Sequence, residues 1–215
     1  DLKELVDDGL RGVTSNPSIF EKAIAGSNDY DDALLRLSEE GNSPQEIYEA
    51  LAIEDVQSAA DVLRTVYEES EGSDGYVSLE VSPDLAHDTK GTIEEARRLF
   101  IAVDRPNVMI KVPATEEGYP AMETLISEGI NVNATLMFSL DQYDRVAEAY
   151  ISGLESLDAR GGDVSSVASV ASFFVSRVDV KVDAMLDEVE APGAEELKGT
   201  IGIANAKMAY QRFKA

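Results

Sequence analysis

One lysine of this chain lies inside an apolar run that ends at a proline: NVMIKVPATEEG, residues 107–118. A lysine normally extends its ammonium group into water, so Lys111, set between Ile110 and Val112, is either a surface residue at a strand end or an amine with a chemical role. An amine attacks a ketone to form a Schiff base, which withdraws electrons while the neighbouring carbon–carbon bond breaks or forms. Considered without the rest of the sequence, Lys111 is better interpreted as a surface lysine at a strand end.

Further reactive side chains occur near the ends of other strand-like runs, and together they make a coherent set. These are Asn16, Glu80, Asn133, Thr135 and Ser172. They supply a carboxylic acid, hydroxyls and carboxamides, with no cluster of metal ligands among them. Dehydration of a carbinolamine needs a proton donor and acceptor, and Glu80 has that chemistry, acting through a water held by Thr135. Glu80 taken alone would be a solvated carboxylate, and Asn16 before Pro17 is ordinary turn chemistry.

Composition removes several other kinds of chemistry. The chain has no cysteine and a single histidine, so disulfides and thiolate nucleophiles are excluded, and a zinc cluster or Ser-His triad has little to draw on. We therefore expect no metal site. The net charge of −24 repels nucleic acids and anionic membranes, so an anionic substrate would need a local basic pocket.

Length and hydropathy favour one domain over residues 1–215, expected as a monomer or homodimer. Apolar residues make up 44% of the chain, enough for one substantial core. No apolar run approaches the roughly 20 residues that cross a bilayer, and the first residues lack a signal-peptide pattern. We expect a cytoplasmic protein.

Short strands alternate with longer helices along the whole chain. Strands are predicted at 11–16, 76–81, 107–112, 130–138 and 164–174, with Pro17 ending the first. Helices are predicted at 29–40, 44–70, 91–103, 117–128, 139–157 and 195–214, with one more carrying Arg177. This alternation predicts a parallel sheet, either open and doubly wound or closed as a barrel of eight strands.

The placement of polar residues favours the barrel. INVNATLMF (130–138) puts Asn131, Asn133 and Thr135 on one face of its strand and apolar residues on the other. Strands of an open parallel sheet are covered on both faces and read as continuous apolar runs. No G-x-G-x-x-G or G-x-x-x-x-G-K-[ST] motif occurs, so the nucleotide-binding open sheets lack their fingerprint. In a barrel, functional side chains sit at the carboxyl ends of strands, where the reactive set lies.

Five stretches, in this order, closely resemble the transaldolase family. They are GVTSNPSIF, VSLEVSPDLAHDT, NVMIKVPATEEG, GINVNATLMFS and SVASFFVSRVD. The resemblance covers essentially the whole chain and is strongest to the longer bacterial branch, which has an extended helical segment after its second strand. It implies a (β/α)8 TIM barrel that works without a cofactor. The implied reaction transfers a dihydroxyacetone unit from sedoheptulose 7-phosphate to glyceraldehyde 3-phosphate, giving erythrose 4-phosphate and fructose 6-phosphate in the non-oxidative pentose phosphate pathway.

The resemblance also implies a role for each site residue. Lys111 matches the Schiff-base lysine, Glu80 the acid/base carboxylate, and Thr135 the residue that helps to place the catalytic water. Residues Asn16, Asn133 and Ser172 match positions that bind the hydroxyls of the dihydroxyacetone unit. Arg177 matches a phosphate-binding arginine, and a guanidinium group suits a phosphate. The sequence itself offers Asp179 as an ion-pair partner for Arg177 instead.

Two features of the family have no match in this sequence. The family begins with a strand that carries an acid/base aspartate, which neither Asp1 nor any other residue here matches, and it ends with two further strands. About five of the eight barrel strands are represented, so we expect the natural polypeptide to be longer at both ends. The alternatives are a fructose-6-phosphate aldolase-like Schiff-base enzyme, which releases free dihydroxyacetone, and an inactive barrel fragment or scaffold.

Overall fold

The computed structural model describes residues 2–215. Asp1, which the sequence analysis compared with the family's acid/base aspartate, lies outside the described residues. Five strands form the sheet: β1 Gly12–Thr14, β2 Tyr76–Glu80, β3 Val108–Pro113, β4 Val132–Met137 and β5 Ser169–Phe173. Eleven helices are found among the described residues: α1 Leu2–Asp7, α2 Pro17–Gly26, α3 Asp31–Glu39, α4 Pro44–Val62, α5 Arg64–Glu69, α6 Thr89–Val103, α7 Gly118–Ser127, α8 Leu140–Asp158, α9 Ser176–Leu186, α10 Ala194–Leu197 and α11 Ile201–Phe213.

The sheet is parallel throughout, and its strands are ordered β1-β2-β3-β4-β5, as in the chain. Each strand is joined to the next through helices, so the sheet grows by one strand at a time in a single direction. This is the arrangement of a (β/α)8 barrel, of which these residues form five strands. The fold class expected from the sequence is therefore confirmed for this part of a barrel.

The core lies between the sheet and the helices that cover its outer face. Alternate residues of each strand point to that face, and those of β3, Val108, Ile110 and Val112, are fully buried. They pack in one apolar cluster with side chains from α4, α6, α7 and α8, such as Val56 and Leu125. Burial of this stripe is the main stabilising term of the fold.

Several boundaries differ from those predicted; the helix predicted at 44–70, for example, is divided into α4 and α5 on either side of Leu63. Pro17 does not simply end a strand: Asn16 caps α2, and Pro17 occupies its first turn, where the missing N–H costs nothing. The predicted strand at 164–174 begins with a 3-10 turn at Val164–Ser166. The predicted helix at 195–214 is divided into α10 and α11, with Gly199 between them at φ +66°.

Side-chain amides fix the end of the sheet where its strands begin. The fully buried Asn107, just before β3, donates from Nδ2 to the carbonyl oxygens of Ala60 (2.9 Å) and Gly75 (2.8 Å). Gln57 of α4 donates in the same way to the carbonyls of Ala102 and Val103, at 3.2 and 3.1 Å. The carboxyl-terminal part of α4 is thereby bonded to the residue before β3, which also bonds the residue before β2, and to the end of α6.

Residues 2–215 lack two further features. No helix in this range is long and apolar enough to cross a membrane. The same residues contain no group of three His, Cys, Asp or Glu side chains arranged to hold a metal ion.

Candidate active site

Lys111 and Glu80 meet because β2 and β3 are aligned in register. The pairing of the two strands sets Glu80 opposite Lys111, so both side chains leave the sheet on its inner face. Lys111 Nζ donates to Glu80 Oε2 at 2.9 Å and to the carbonyl oxygen of Ser15 at 3.1 Å. The residue that follows β1 therefore contributes a backbone acceptor to the same group.

The ion pair is sheltered from solvent. The side chains of Lys111 and Glu80 are only 9% and 14% exposed. This burial excludes the reading of Lys111 as a surface lysine at a strand end. Two charges this far removed from water are held by each other and by the Ser15 carbonyl, so loss of either partner would leave the other poorly compensated.

A second polar group on the inner face is centred on the Asn133 carboxamide. Its Nδ2 donates to Ser78 Oγ at 2.9 Å, and its Oδ1 accepts from Ser172 Oγ at 2.7 Å. Asn133 and Ser78 are both 3% exposed. Hydroxyls from β2 and β5 thus fix the orientation of one amide of β4. Ser78 was not among the predicted site residues, although its place on the polar face of β2, two residues before Glu80, is a signal that could have found it.

Thr135 lies two residues after Asn133 in β4, and its side chain makes no hydrogen bond. Thr135 is 1% exposed. Among the described side chains, two buried polar atoms have no hydrogen-bond partner: the Thr135 hydroxyl and Asn107 Oδ1. A buried hydroxyl normally finds a partner, because leaving it unpaired costs about 1–3 kcal/mol. An unpartnered hydroxyl in β4, one alternate residue on from Asn133, is therefore a candidate functional group.

Asn16 lies where β1 ends, with part of its hydrogen-bonding capacity already used. Its Oδ1 accepts from the Ile19 N–H at 3.0 Å and caps α2. The interpretation of Asn16 as a turn residue is therefore correct, because its amide oxygen bonds the backbone three residues further on. The cap uses the amide oxygen and fixes the side chain at the carboxyl end of the strand.

Arg177 lies just beyond β5, in the first turn of α9, and is exposed. Its guanidinium carbon is 4.6 Å from the centre of the Phe174 ring, and Phe174 stacks on Phe138 at 5.0 Å between ring centres. The alternative ion pair with Asp179 is not formed; that carboxylate accepts from the Gly202 N–H at 2.6 Å instead. The described contacts do not link Arg177 or Asn16 directly to the Lys111–Glu80 pair.

A cavity of about 400 Å³ reaches Glu80 from the side of α4. Tyr48 lines it, and burial followed by the nearby charge of Glu80 raises the pKa of this tyrosine above its ordinary value. The raised pKa keeps the Tyr48 phenol protonated beside the carboxylate. Sequence reasoning did not find Tyr48, because only the fold brings α4 against β2.

A buried amine, a carboxylate and a set of amides and hydroxyls on the inner face of parallel strands define a lysine-centred (β/α)8-barrel site. The sequence comparison is more specific. The chain belongs to the transaldolase/fructose-6-phosphate aldolase family, whose model matches residues 1–215.

Individual relatives agree with this membership. The chain is 49% identical to a protein named transaldolase from Trichodesmium erythraeum (strain IMS101), over all of this chain and 59% of the relative. It is 50% identical to transaldolase 2 of Nostoc sp. (strain PCC 7120), with the same coverage, and 52% identical to the transaldolase of Frankia alni, over 94% of this chain and 55% of the relative. The chain thus spans less than two thirds of the length of these relatives.

Proposed function

We propose that this chain carries the Schiff-base site of a transaldolase. The observation that carries the proposal is the sheltered contact of 2.9 Å between Lys111 Nζ and Glu80 Oε2. The names of the relatives support it, and so does the absence of metal ligands and cysteine from the group around the lysine. The substrates are sugar phosphates, with the dihydroxyacetone unit passing from sedoheptulose 7-phosphate to glyceraldehyde 3-phosphate.

The first steps follow from the contact between amine and carboxylate. Glu80 accepts a proton from the Lys111 ammonium, which leaves a neutral amine free to attack the ketone carbon of the sugar. As the new carbon–nitrogen bond forms, a second proton passes from the nitrogen to the ketone oxygen and gives the carbinolamine its hydroxyl group. Glu80 then returns the first proton to that oxygen, which leaves as water. A Schiff base between Lys111 and the dihydroxyacetone unit then remains, and it accepts electrons when the next carbon–carbon bond breaks.

The other inner-face groups bind and orient the sugar. We assign Asn133, Ser172 and Asn16 to the hydroxyls of the dihydroxyacetone unit, since carboxamides and a hydroxyl offer both donors and acceptors. Thr135 supports the water that relays protons to Glu80. Arg177 binds the phosphate, and its stacking on Phe174 supports that role by restricting the guanidinium group before a substrate arrives.

Trapping with borohydride tests the proposal. Fructose 6-phosphate and borohydride should leave a stable adduct that peptide mass analysis locates on Lys111. Lys90→Met is the matched control, because Lys90 forms a carboxylate pair with Glu94 (3.6 Å) at the surface, where it is 85% exposed. The control should be trapped as well as the native protein. A native protein that gives no adduct would support the inactive fragment or scaffold instead, and an adduct that survives Lys111→Met would show that the nucleophile is another residue.

A second measurement separates the two activities in the family's name. A transaldolase keeps the dihydroxyacetone unit bound until an aldehyde acceptor arrives, whereas a fructose-6-phosphate aldolase releases it. Free dihydroxyacetone should therefore stay near background when fructose 6-phosphate is supplied alone. Steady release without an acceptor would favour the aldolase.

We also propose that residues 1–215 are part of one barrel domain in a longer polypeptide that acts in the cytoplasm, in the non-oxidative pentose phosphate pathway. The greater length of the relatives supports the longer chain, and so do β1 and β5, which are edge strands of the described sheet. The mass of the protein isolated from its source tests this. A mass equal to that of these 215 residues would contradict it.

A further inference from the structure

The end of β4, which carries Thr135, has an irregular backbone. Its pairing with β5 shifts between Ala134 and Met137, so β4 contains an extra residue there. Leu136 lies within the shift at φ +57°, a left-handed conformation that side chains other than glycine rarely adopt. Irregularities of this kind redirect a neighbouring side chain, and they persist only where the surrounding structure holds them.

Gln142 of α8 holds this irregular segment. Its Oε1 accepts from the Phe138 N–H at 2.9 Å, and its Nε2 donates to the Ala114 carbonyl at 2.9 Å and lies 3.5 Å from the Leu136 carbonyl oxygen. One side chain therefore joins the end of β3 to the residues at and after the left-handed Leu136.

Ala114, which Gln142 contacts, is itself hydrogen-bonded to Thr135. The Ala114 N–H donates to the Thr135 carbonyl oxygen at 2.8 Å, beyond the last residue of β3. Gln142 therefore bonds the carbonyl of the residue whose N–H bonds Thr135, while the Thr135 hydroxyl stays buried and unpartnered. No hydrogen bond of the Thr135 side chain itself fixes this hydroxyl, so its place depends on the backbone that carries it.

A simpler reading is that Gln142 only caps α8. Ser139 and Gln142 have the spacing of a capping box, and Ser139 Oγ accepts from the Gln142 N–H at 3.2 Å. A cap needs only the acceptor of residue 142, and glutamate serves equally well there. The bond donated by Nε2 to a different strand is not part of a cap, and only an amide supplies it.

We propose that Gln142 is a positioning residue for Thr135 in carbinolamine dehydration. The inference rests on the proposed function. It predicts that Gln142→Glu keeps the cap and the fold but loses the bond to Ala114, because a carboxylate oxygen cannot donate. The Ala114 carbonyl retains the Tyr119 hydroxyl as a donor at 3.3 Å, so it is not orphaned. Thr135 then shifts, and a displacement of about 1 Å at a reacting group slows a reaction by up to about 100-fold.

The experiment measures the single-turnover rate of borohydride-trapped adduct formation from fructose 6-phosphate, in the full-length gene product. The variants are Gln142→Glu, Thr135→Ala and the double variant. Gln57→Glu is the matched control, since Gln57 also donates to carbonyls of a neighbouring element, but at the opposite end of the sheet. Melting temperatures are recorded for all four, and Gln142→Met replaces Gln142→Glu if the latter does not fold.

The expected result is a drop of about 10-fold for Gln142→Glu, a control within about twofold of native, and no further loss when Gln142→Glu is added to Thr135→Ala. A Gln142→Glu rate within about twofold of native overturns the inference, as does an equal drop in the native and Thr135→Ala backgrounds, which is what a purely structural role gives. Absence of an adduct in the native protein would overturn the proposed function as well, so the two failures are distinguishable.

Discussion

The two faces of the sheet are built from the same strands and serve opposite purposes. On the outer face, Ile110 and Val112 are fully buried in the apolar core. On the inner face, Lys111 stands between them in sequence and pairs with Glu80. The outer residues gain stability from burial, whereas each inner residue is a polar group withdrawn from water at a cost.

This difference shows that residues on one face of a strand stabilise the fold, whereas residues on the other face form the site. Successive side chains point to opposite faces, so a change of one position in the sequence moves a residue from the core to the site. Outer-face substitutions should change the stability and leave the rate of each folded molecule intact. Substitutions of the inner-face residues at the site should change the rate.

The largest expected effect is on the inner face, for Lys111→Met. Loss of the amine should reduce the proposed transfer by about 10⁴-fold or more, because removal of a nucleophile leaves only binding and positioning. Transfer assays with saturating substrates check this. The double variant Lys111→Met with Glu80→Gln should be equally inactive and better folded, since it leaves no unpaired carboxylate. A Lys111→Met protein with a transfer activity within about tenfold of native would contradict the role of the inner face.

One residue earlier, Ile110→Ala should affect stability alone. A fully buried isoleucine cut to alanine loses about 2–5 kcal/mol of unfolding free energy, because it leaves a cavity against the helices. Urea denaturation measures the loss. The transfer rate per folded molecule should stay within about twofold of native. If it fell with stability unchanged, the separation of the two faces would be wrong.

Thr135→Val sharpens the comparison, because it should move stability and rate in opposite directions. Valine removes an unpartnered buried hydroxyl, which should raise the unfolding free energy by about 1 kcal/mol. The same change should slow the proposed adduct formation by about 10²-fold, since proton relay loses its support. Denaturation and single-turnover trapping on one preparation test both. A less stable protein with native rates would contradict the assignment.

The smallest effect concerns Tyr76, on the inner face where β2 begins. Burial, followed by the nearby Tyr67, raises the pKa of Tyr76 to about 12, and its hydroxyl donates to the Gly72 carbonyl at 2.7 Å. Because the folded pKa is raised, this contribution to stability is fully present below the ordinary pKa of 10 and is lost as the pH rises toward 12. Tyr76→Phe should flatten that alkaline loss, and at neutral pH it should lower the unfolding free energy only by the lost bond to Gly72, about 1 kcal/mol, as urea titrations across this range would show. An unchanged alkaline slope would contradict the prediction.

Much of the fold could be predicted because it depends on local pattern. The alternation in YVSLEV, and in INVNATLMF as far as Thr135, gave the correct faces, and with strands in chain order it set Glu80 beside Lys111; beyond Thr135, Met137 and not Leu136 lies in the core. Helix α2 was missed, because proline was interpreted as ending a strand, whereas at a first helical turn it begins a helix.

The missed parts of the site share one cause: their contacts are distant in sequence. Ser78 and Asn133 are 55 residues apart, and Gln142 and Ala114 are 28 apart. The sequence around Gln142 has the spacing of a helix cap and contains no sign of its second contact. The extra residue in β4 is also invisible locally, because the pairing with β5 defines it.

The amide clamp of Asn107 at the start of the strands has a practical consequence for protein engineering. It anchors α4 to the sheet at the end opposite to Lys111 and is fully buried there. Loops that follow the strands, such as residues 81–88 after β2, do not contribute to this anchor. They are therefore the segments to exchange or randomise when a new acceptor is sought, with the anchored end serving as an unchanged scaffold.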